Sequence, residues 1–192
     1  MWIKSMKLLK NYLNFNNNKN TIYAMKKIGL FYGTTTTKTA SIAKKIKEAF
    51  GSENVDLVSV EDAWKKDFES YDNIIVGVAT WFDGELPNHW DEVRPELEAL
   101  NLKGKKVAIF GLGDQVRYPE NFVDGIGILA ETFESVGAKI VGFTSIDGYN
   151  FEMSRAIRDH KFVGLAIDKE NQSKLTNDRI KSWVEQLKKE FD

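Results

Sequence analysis

The segment Gly33-Thr34-Thr35-Thr36-Thr37-Lys38-Thr39 gathers five hydroxyls, a run of main-chain N–H groups and one ammonium between a short apolar run and a helical stretch. Hydroxyls and amides converging at the positive end of a helix dipole are what a phosphate requires. A helix N-cap alone would need one hydroxyl, not five, so we read the segment as a phosphate loop. It is not a Walker A motif, which would place glycines where the chain has Tyr32 and Thr37, nor is it G-x-G-x-x-G. Lys38 lies in this loop, but hydroxyls and main-chain amides carry the binding.

Two further loops could do chemistry. Thr80-Trp81-Phe82-Asp83-Gly84 follows the apolar run Ile74–Ala79, and Leu112-Gly113-Asp114 with Tyr118 follows Lys106–Gly111. Each carries a large aromatic ring, and the glycines permit close main-chain approach, so the pair suggests a clamp for a flat heteroaromatic molecule. The chain has no cysteine, and its two histidines, His89 and His160, are too few and too far apart to anchor a metal cluster. We therefore expect no metal site, no thiol nucleophile and no disulfide. Redox chemistry would need a borrowed cofactor. Both histidines are read as structural or surface residues.

The elements that must position these loops follow from periodicity. Ile28–Tyr32, Val55–Val60, Ile74–Ala79, Lys106–Gly111 and Lys139–Thr144 are short, apolar and rich in β-branched residues, as strands are. Between or after them, Lys38–Phe50, Phe122–Val136 and Asn177–Phe191 place their apolar residues on single helical stripes. Strands alternating with helices imply an α/β fold, a doubly wound parallel sheet built from right-handed βαβ units. Ligands bind such sheets beyond the carboxyl ends of the strands, which is where all three loops fall.

Composition sets the outer bounds. The 192 residues carry a formal charge of −1, which argues against a nucleic-acid partner. That charge conceals a basic, asparagine-rich leader: residues 1–24 hold Lys4, Lys7, Lys10 and Lys19 and no acid, leaving the rest with 23 basic and 28 acidic side chains, or −5. The leader has no apolar run of the ~20 residues that a membrane span needs, and no secretory cleavage pattern. We expect it to be disordered, with the functional polypeptide beginning at Met25.

The stretches FYGTTTTKTASIA, ATWFDGELPNHW, FGLGDQVRYPENFVDGIGIL, DGYNFEMSRAIRDHKFVGLAID and NQSKLTNDRIKSWVEQL together resemble the flavodoxins of cyanobacteria and algae, of the long-chain type, over residues 25–192. The resemblance implies a flavodoxin-like five-stranded sheet in the order 2-1-3-4-5, an arrangement that serves as a standard example of the doubly wound fold. It makes 145–161 an insertion that splits the fifth strand, which resumes over Phe162–Ile167. It also implies one non-covalent FMN and no catalytic residue.

By the same resemblance, Thr34, Thr35, Thr36, Thr37, Lys38 and Thr39 hold the phosphate. Thr80, Trp81, Phe82, Asp83 and Gly84 line one flavin face, and Leu112, Gly113, Asp114 and Tyr118 the other, with Trp81 and Tyr118 sandwiching the ring. Glu170 stands where similar proteins have a ribityl-contacting aspartate, and the Phe82 carbonyl is the one that turns toward flavin N5. A non-glycine residue there resists the turn if positive φ is required. The implied function is a low-potential one-electron carrier, cytoplasmic and monomeric. Its implied partners are ferredoxin–NADP reductase and photosystem I, with the carrier replacing ferredoxin under iron limitation. An FMN-dependent NAD(P)H:quinone reductase of the same superfamily is the alternative, but no second dinucleotide fingerprint occurs. A phospho-receiver domain is disfavoured because the third strand run ends Ala79-Thr80, without the required aspartate.

Overall fold

The computed structural model describes residues 27–33 and 37–191. The expected disordered leader, and Thr34, Thr35 and Thr36 of the phosphate loop, lie outside the described residues.

In chain order the main elements are β1 (Ile28–Tyr32), α1 (Thr37–Phe50), β2 (Val55–Ser59), α2 (Lys65–Glu69), β3 (Asn73–Ala79), α3 (Asn88–Glu98), β4 (Lys106–Leu112) and α4 (Asp124–Ser135). There follow β5 (Lys139–Val141), β6 (Thr144–Ser145), β7 (Ile157–Arg158), β8 (Lys161–Phe162), β9 (Leu165–Ile167) and α5 (Thr176–Glu190). The strands pair in parallel in the order β2-β1-β3-β4-β5, as the resemblance implied.

Strand side chains alternate between faces, and both faces of this sheet are covered. Ile28, Leu30, Ile75, Ala108 and Phe110 meet Ile42, Ile46 and Phe50 of α1 and Ile180, Trp183 and Leu187 of α5. Phe31, Ile74, Val76, Val107 and Ile109 take the other face, against Trp90 and Leu97 of α3 and Ile126, Leu129 and Phe133 of α4. Two-sided burial is why the strand runs read as continuously apolar. Each large side chain so buried contributes roughly 1.5–3 kcal/mol. The deepest aromatics also satisfy their polar edges: Trp90 Nε1–H donates to the Gly77 carbonyl at 3.3 Å, and Trp183 Nε1–H to that of Gly142 at 2.8 Å.

The fifth position of the sheet is shared. β5 pairs with β4 at Lys106–Ala108, and β9 pairs with the same strand at Phe110–Leu112. The chain between them forms a small antiparallel sheet, β6-β8-β7, over 144–162. The fifth strand, expected to run through Thr144 and resume at Phe162, instead ends at Val141 and restarts at Leu165, because Thr144 and Phe162 pair with each other in that small sheet. The ribbon is seated by Tyr149, Phe151 and Phe162, whose ring centroids lie 5.3–6.0 Å from that of Phe122.

Periodicity did not mark α2 or α3. α3 buries only His89, Trp90 and Leu97 and carries Pro95 in its interior, so its apolar stripe is too sparse to register.

Candidate functional site

Four chain segments converge at the carboxyl edge of the sheet, after β1, β3, β4 and β9. The first leaves β1 through the buried Gly33, and the described chain resumes at α1 with exposed Thr37 and Lys38 and buried Thr39.

After β3, Thr80 is tied on both sides. Its N–H donates to the Leu112 carbonyl at 3.1 Å, and its hydroxyl accepts from Gly125 N–H at 3.1 Å. Trp81 then opens a tight turn in which Gly84 and Glu85 N–H both donate to its carbonyl, while its own N–H donates to Glu85. The turn requires positive φ at Phe82 (42°) and Gly84 (91°). At Gly84 a side chain would also collide, since a Cβ would fall 2.6 Å from Asp124 Oδ2. Phe82 is 72% exposed and its ring meets Trp81 edge-on, with centroids 6.3 Å apart, so little burial offsets a left-handed backbone that costs about 1–2 kcal/mol. The strain that sequence reasoning attached to a turning Phe82 peptide is thus already present in this conformation.

After β4, Gly113 N–H donates to the Ile167 carbonyl, and Asp114 organises the loop. Asp114 Oδ1 accepts from Val116 N–H (3.1 Å), Arg117 N–H (3.0 Å) and Asn171 Nδ2 (2.8 Å). Burial pushes the Asp114 carboxyl up, but these donors and the Arg117 charge outweigh it and hold the group below the usual carboxylate range. Tyr118, 53% exposed, ends this loop.

After β9 comes a residue that sequence reasoning missed. Asp168 is fully buried and accepts from Gln115 N–H and Nε2, from Glu170 N–H, and from Asn171 N–H and Nδ2. It locks the 112–118 loop to the 168–171 loop. The available signal was a carboxylate at the end of the apolar run FVGLAI, at the edge where all the other loops lie. Glu170, expected at the ribityl position, pairs with Lys38.

Two adjoining cavities open between these loops, of about 590 and 310 Å³. Thr80, Trp81, Gly113, Asp114 and Tyr118 line both; Phe82 and Asp83 extend the larger, and Lys38, Leu112 and Glu170 the smaller. Of the sequence-predicted residues, Gly84 stands behind the wall, packed on Asp124, and Thr37 and Thr39 lie at the start of α1 outside both linings. A separate groove of about 600 Å³ runs between α3 and α4 and includes Asp83, Glu85, Asp91, Glu98 and Glu131. Among the described residues no cluster of three or more acidic or imidazole side chains could hold a metal, and no helix is long and apolar enough to cross a membrane.

Comparison with known proteins agrees with this geometry. Residues 30–183 match the family model described as Flavodoxin. The chain is 51% identical over 168 residues to a flavodoxin of Synechococcus elongatus, covering 87% of this chain and 99% of that one. It is 52% identical over 166 residues to a flavodoxin of Nostoc, covering 86% and 98%. Among solved structures, the Fusobacterium nucleatum flavodoxin bound to flavin mononucleotide superposes with a TM-score of 0.83 at 38% identity, covering 88% of this chain and all of that one.

Proposed function

The chain belongs to the flavodoxin family, and from that membership we propose that it is a one-electron carrier that holds FMN non-covalently at the carboxyl edge of its sheet, and not an enzyme that converts a substrate. The observation that carries this reading is the pair of adjoining cavities that share Trp81 and Tyr118.

The residues present suit FMN. The larger cavity, at about 590 Å³, falls within the range of small-molecule sites and is walled by Trp81, Phe82 and Tyr118, as a flat apolar ring requires. The smaller adds the carboxylate of Glu170 and the ammonium of Lys38, polar groups for a polyol chain leading toward α1, to the Asp114 carboxylate that both share. Gly33, the N-terminus of α1 and the hydroxyls of Thr37 and Thr39 suit a phosphate, with Thr34, Thr35 and Thr36 completing that loop in sequence.

Bound FMN supplies the electron-accepting ring; the chain sets the surroundings that tune it. Trp81 and Tyr118 exclude water from the ring faces. Asp83, Asp114 and the nearby Glu85 place negative charge beside it, which disfavours an anionic reduced ring and so lowers the potential. The Phe82 carbonyl is the acceptor we assign to a ring N–H, by the family resemblance.

We take residues 25–192 as the FMN-binding domain, residues 1–24 as a leader, and the molecule as a cytoplasmic monomer. For partners we propose ferredoxin–NADP reductase and photosystem I, with the carrier substituting for ferredoxin when iron is scarce. The cyanobacterial relatives support this, as do the body charge of −5 and the acid-rich groove beside Asp83.

Adding FMN to the flavin-free protein tests the core reading. Quenching of flavin fluorescence at one equivalent is expected, and a protein that stays colourless would overturn it. Stopped-flow reduction by the reductase should slow as salt rises; a flat salt profile would remove the argument from acidic steering.

A further inference from the structure

The strip 121–125, which leads into α4, lies behind both walls of the larger cavity. It meets the turn that carries Trp81 at Thr80, Asp83 and Gly84. Gly125 N–H donates to the Thr80 hydroxyl at 3.1 Å, and the Asn121 side-chain amide donates to the Asp83 carbonyl at 3.3 Å. The Asp124 carboxylate abuts Gly84, where a Cβ would fall 2.6 Å from Oδ2. The strip meets the opposite wall as well. A Cβ at Gly113 would fall 3.0 Å from both N and Cγ1 of Val123, and Asn121 N–H donates to the Tyr118 carbonyl at 3.3 Å.

This strip is strained. Val123 is wholly buried and has φ of 52°, in the left-handed region. A β-branched residue keeps that conformation only where its neighbours impose it, and such strain gathers at functional sites. The neighbours are fixed here: Phe122 N–H donates to the Met153 carbonyl at 3.3 Å, and Asp124 Oδ1 accepts from Arg155 N–H at 2.7 Å. The Asn121 side-chain nitrogen also lies 3.4 Å from Asp124 Oδ2. Carbonyl and carboxylate only accept, so the Asn121 amide turns its nitrogen to them and uses both of its hydrogens.

We propose that Asn121 is a positioning residue of the flavin site, which ties the turn bearing Trp81 to the loop bearing Tyr118 and so fixes the spacing of the two aromatic walls. The inference rests on the FMN reading above. Both ends of the tie are on the chain: the main-chain N–H of Asn121 holds the Tyr118 carbonyl, and its side chain holds the Asp83 carbonyl. With the tie intact the walls stand ready for a flat ring. With it cut they must be ordered as the ring enters, and that ordering is lost from the affinity. The effect belongs to the ring, not to the phosphate.

The full-length protein freed of flavin provides the test. Asn121→Ala removes both side-chain donors, whereas Asn121→Asp keeps the shape and sets an acceptor against a carbonyl and a carboxylate. In fluorescence titrations Asn121→Ala should weaken FMN about twofold to tenfold, the worth of a hydrogen bond, and riboflavin by the same factor. Asn121→Asp should weaken both further at neutral pH. Relative to the native chain it should recover as pH falls through the ordinary carboxyl range, where the protonated group regains one donor. A side chain that only filled space would give the reverse order, with the isosteric aspartate the milder change. Without flavin, hydrogen exchange at Gly84 and Glu85 N–H, both bonded to the Trp81 carbonyl, should quicken in Asn121→Ala. Unchanged exchange, a loss confined to FMN, or an Asn121→Asp milder than Asn121→Ala would each overturn the proposal while leaving the cofactor reading intact. Failure of the native chain to bind FMN would overturn both.

Discussion

The ammonium of Lys38, at the start of α1, is paired with the carboxylate of Glu170, in the loop after β9, joining two sides of the cofactor cleft across 132 residues of sequence. Their side chains are 58% and 44% exposed, so the pair contributes little to folding. We expect Glu170→Gln to change the unfolding free energy by less than about 1 kcal/mol in urea denaturation. Its effect should fall on the ligand instead. Lys38→Glu puts two like charges across the cleft and should weaken FMN binding several-fold in fluorescence titrations, and the double exchange Lys38→Glu with Glu170→Lys should recover part of the loss.

Asp168 should behave in the opposite way. Its buried carboxylate satisfies donors from Gln115, Glu170 and Asn171, and truncation leaves them without an acceptor. Asp168→Ala should cost about 3 kcal/mol or more in denaturant unfolding and loosen FMN as well, because the 112–118 loop loses its anchor. Asp168→Asn, which keeps one acceptor oxygen, should cost less.

Phe82→Gly separates strain from redox tuning. It relieves about 1–2 kcal/mol of left-handed backbone strain but frees the unfolded chain by a similar amount, so net stability should shift by under about 1 kcal/mol. In a redox titration with FMN bound, the gap between the two one-electron potentials should change, with the half-reduced state more populated, if the turned 82–83 peptide demands more of the backbone at position 82 than the φ of 42° it already has. An unchanged gap would show that Phe82 does not limit that turn.

Tyr149 supplies a pH prediction of known sign. Its hydroxyl donates to the Ala166 carbonyl, the Arg179 guanidinium sits 4.0 Å above its ring, and burial pushes its pKa up from 10.0 to about 12. A group whose pKa is raised by folding stabilises below its unfolded pKa and loses that contribution as pH rises through the folded one. The loss should therefore run from pH 10.0 to about 12, read as tyrosinate absorbance with a late midpoint coinciding with loosening of the insertion. Tyr149→Phe should abolish that step and cost about 1 kcal/mol at neutral pH for the missing hydrogen bond.

What could be read from the chain alone follows from the range of each interaction. The sheet was legible because two-sided burial writes itself into runs such as Ile74–Ala79, and the loops because threonines, glycines and aromatics cluster where those runs end. The contacts that finish the site are nonlocal. Asp168 meets Gln115 from 53 residues away, and nothing near either residue announces the partner. His89 was read as structural or surface, since its buried seat on Gly33 exists only once α3 has packed beside β1. Phe82 was legible as an aromatic at the mouth but not as a left-handed residue, since phenylalanine is a poor choice for that conformation and the geometry is imposed by the turn from Trp81 to Glu85.

The shared fifth strand has one more consequence, for how the molecule behaves in a crowd. A parallel sheet with so apolar an interior would recruit other chains if it ended in a long, flat, unpaired strand. Here that edge is cut into two pieces of three residues each, β5 and β9, with the β6-β8-β7 ribbon emerging between them, so no stretch is long enough to template pairing with a neighbour. The same segment that lengthens the chain thereby shortens this edge, leaving the five-residue β2 at the opposite edge as the longer strand paired on one side only.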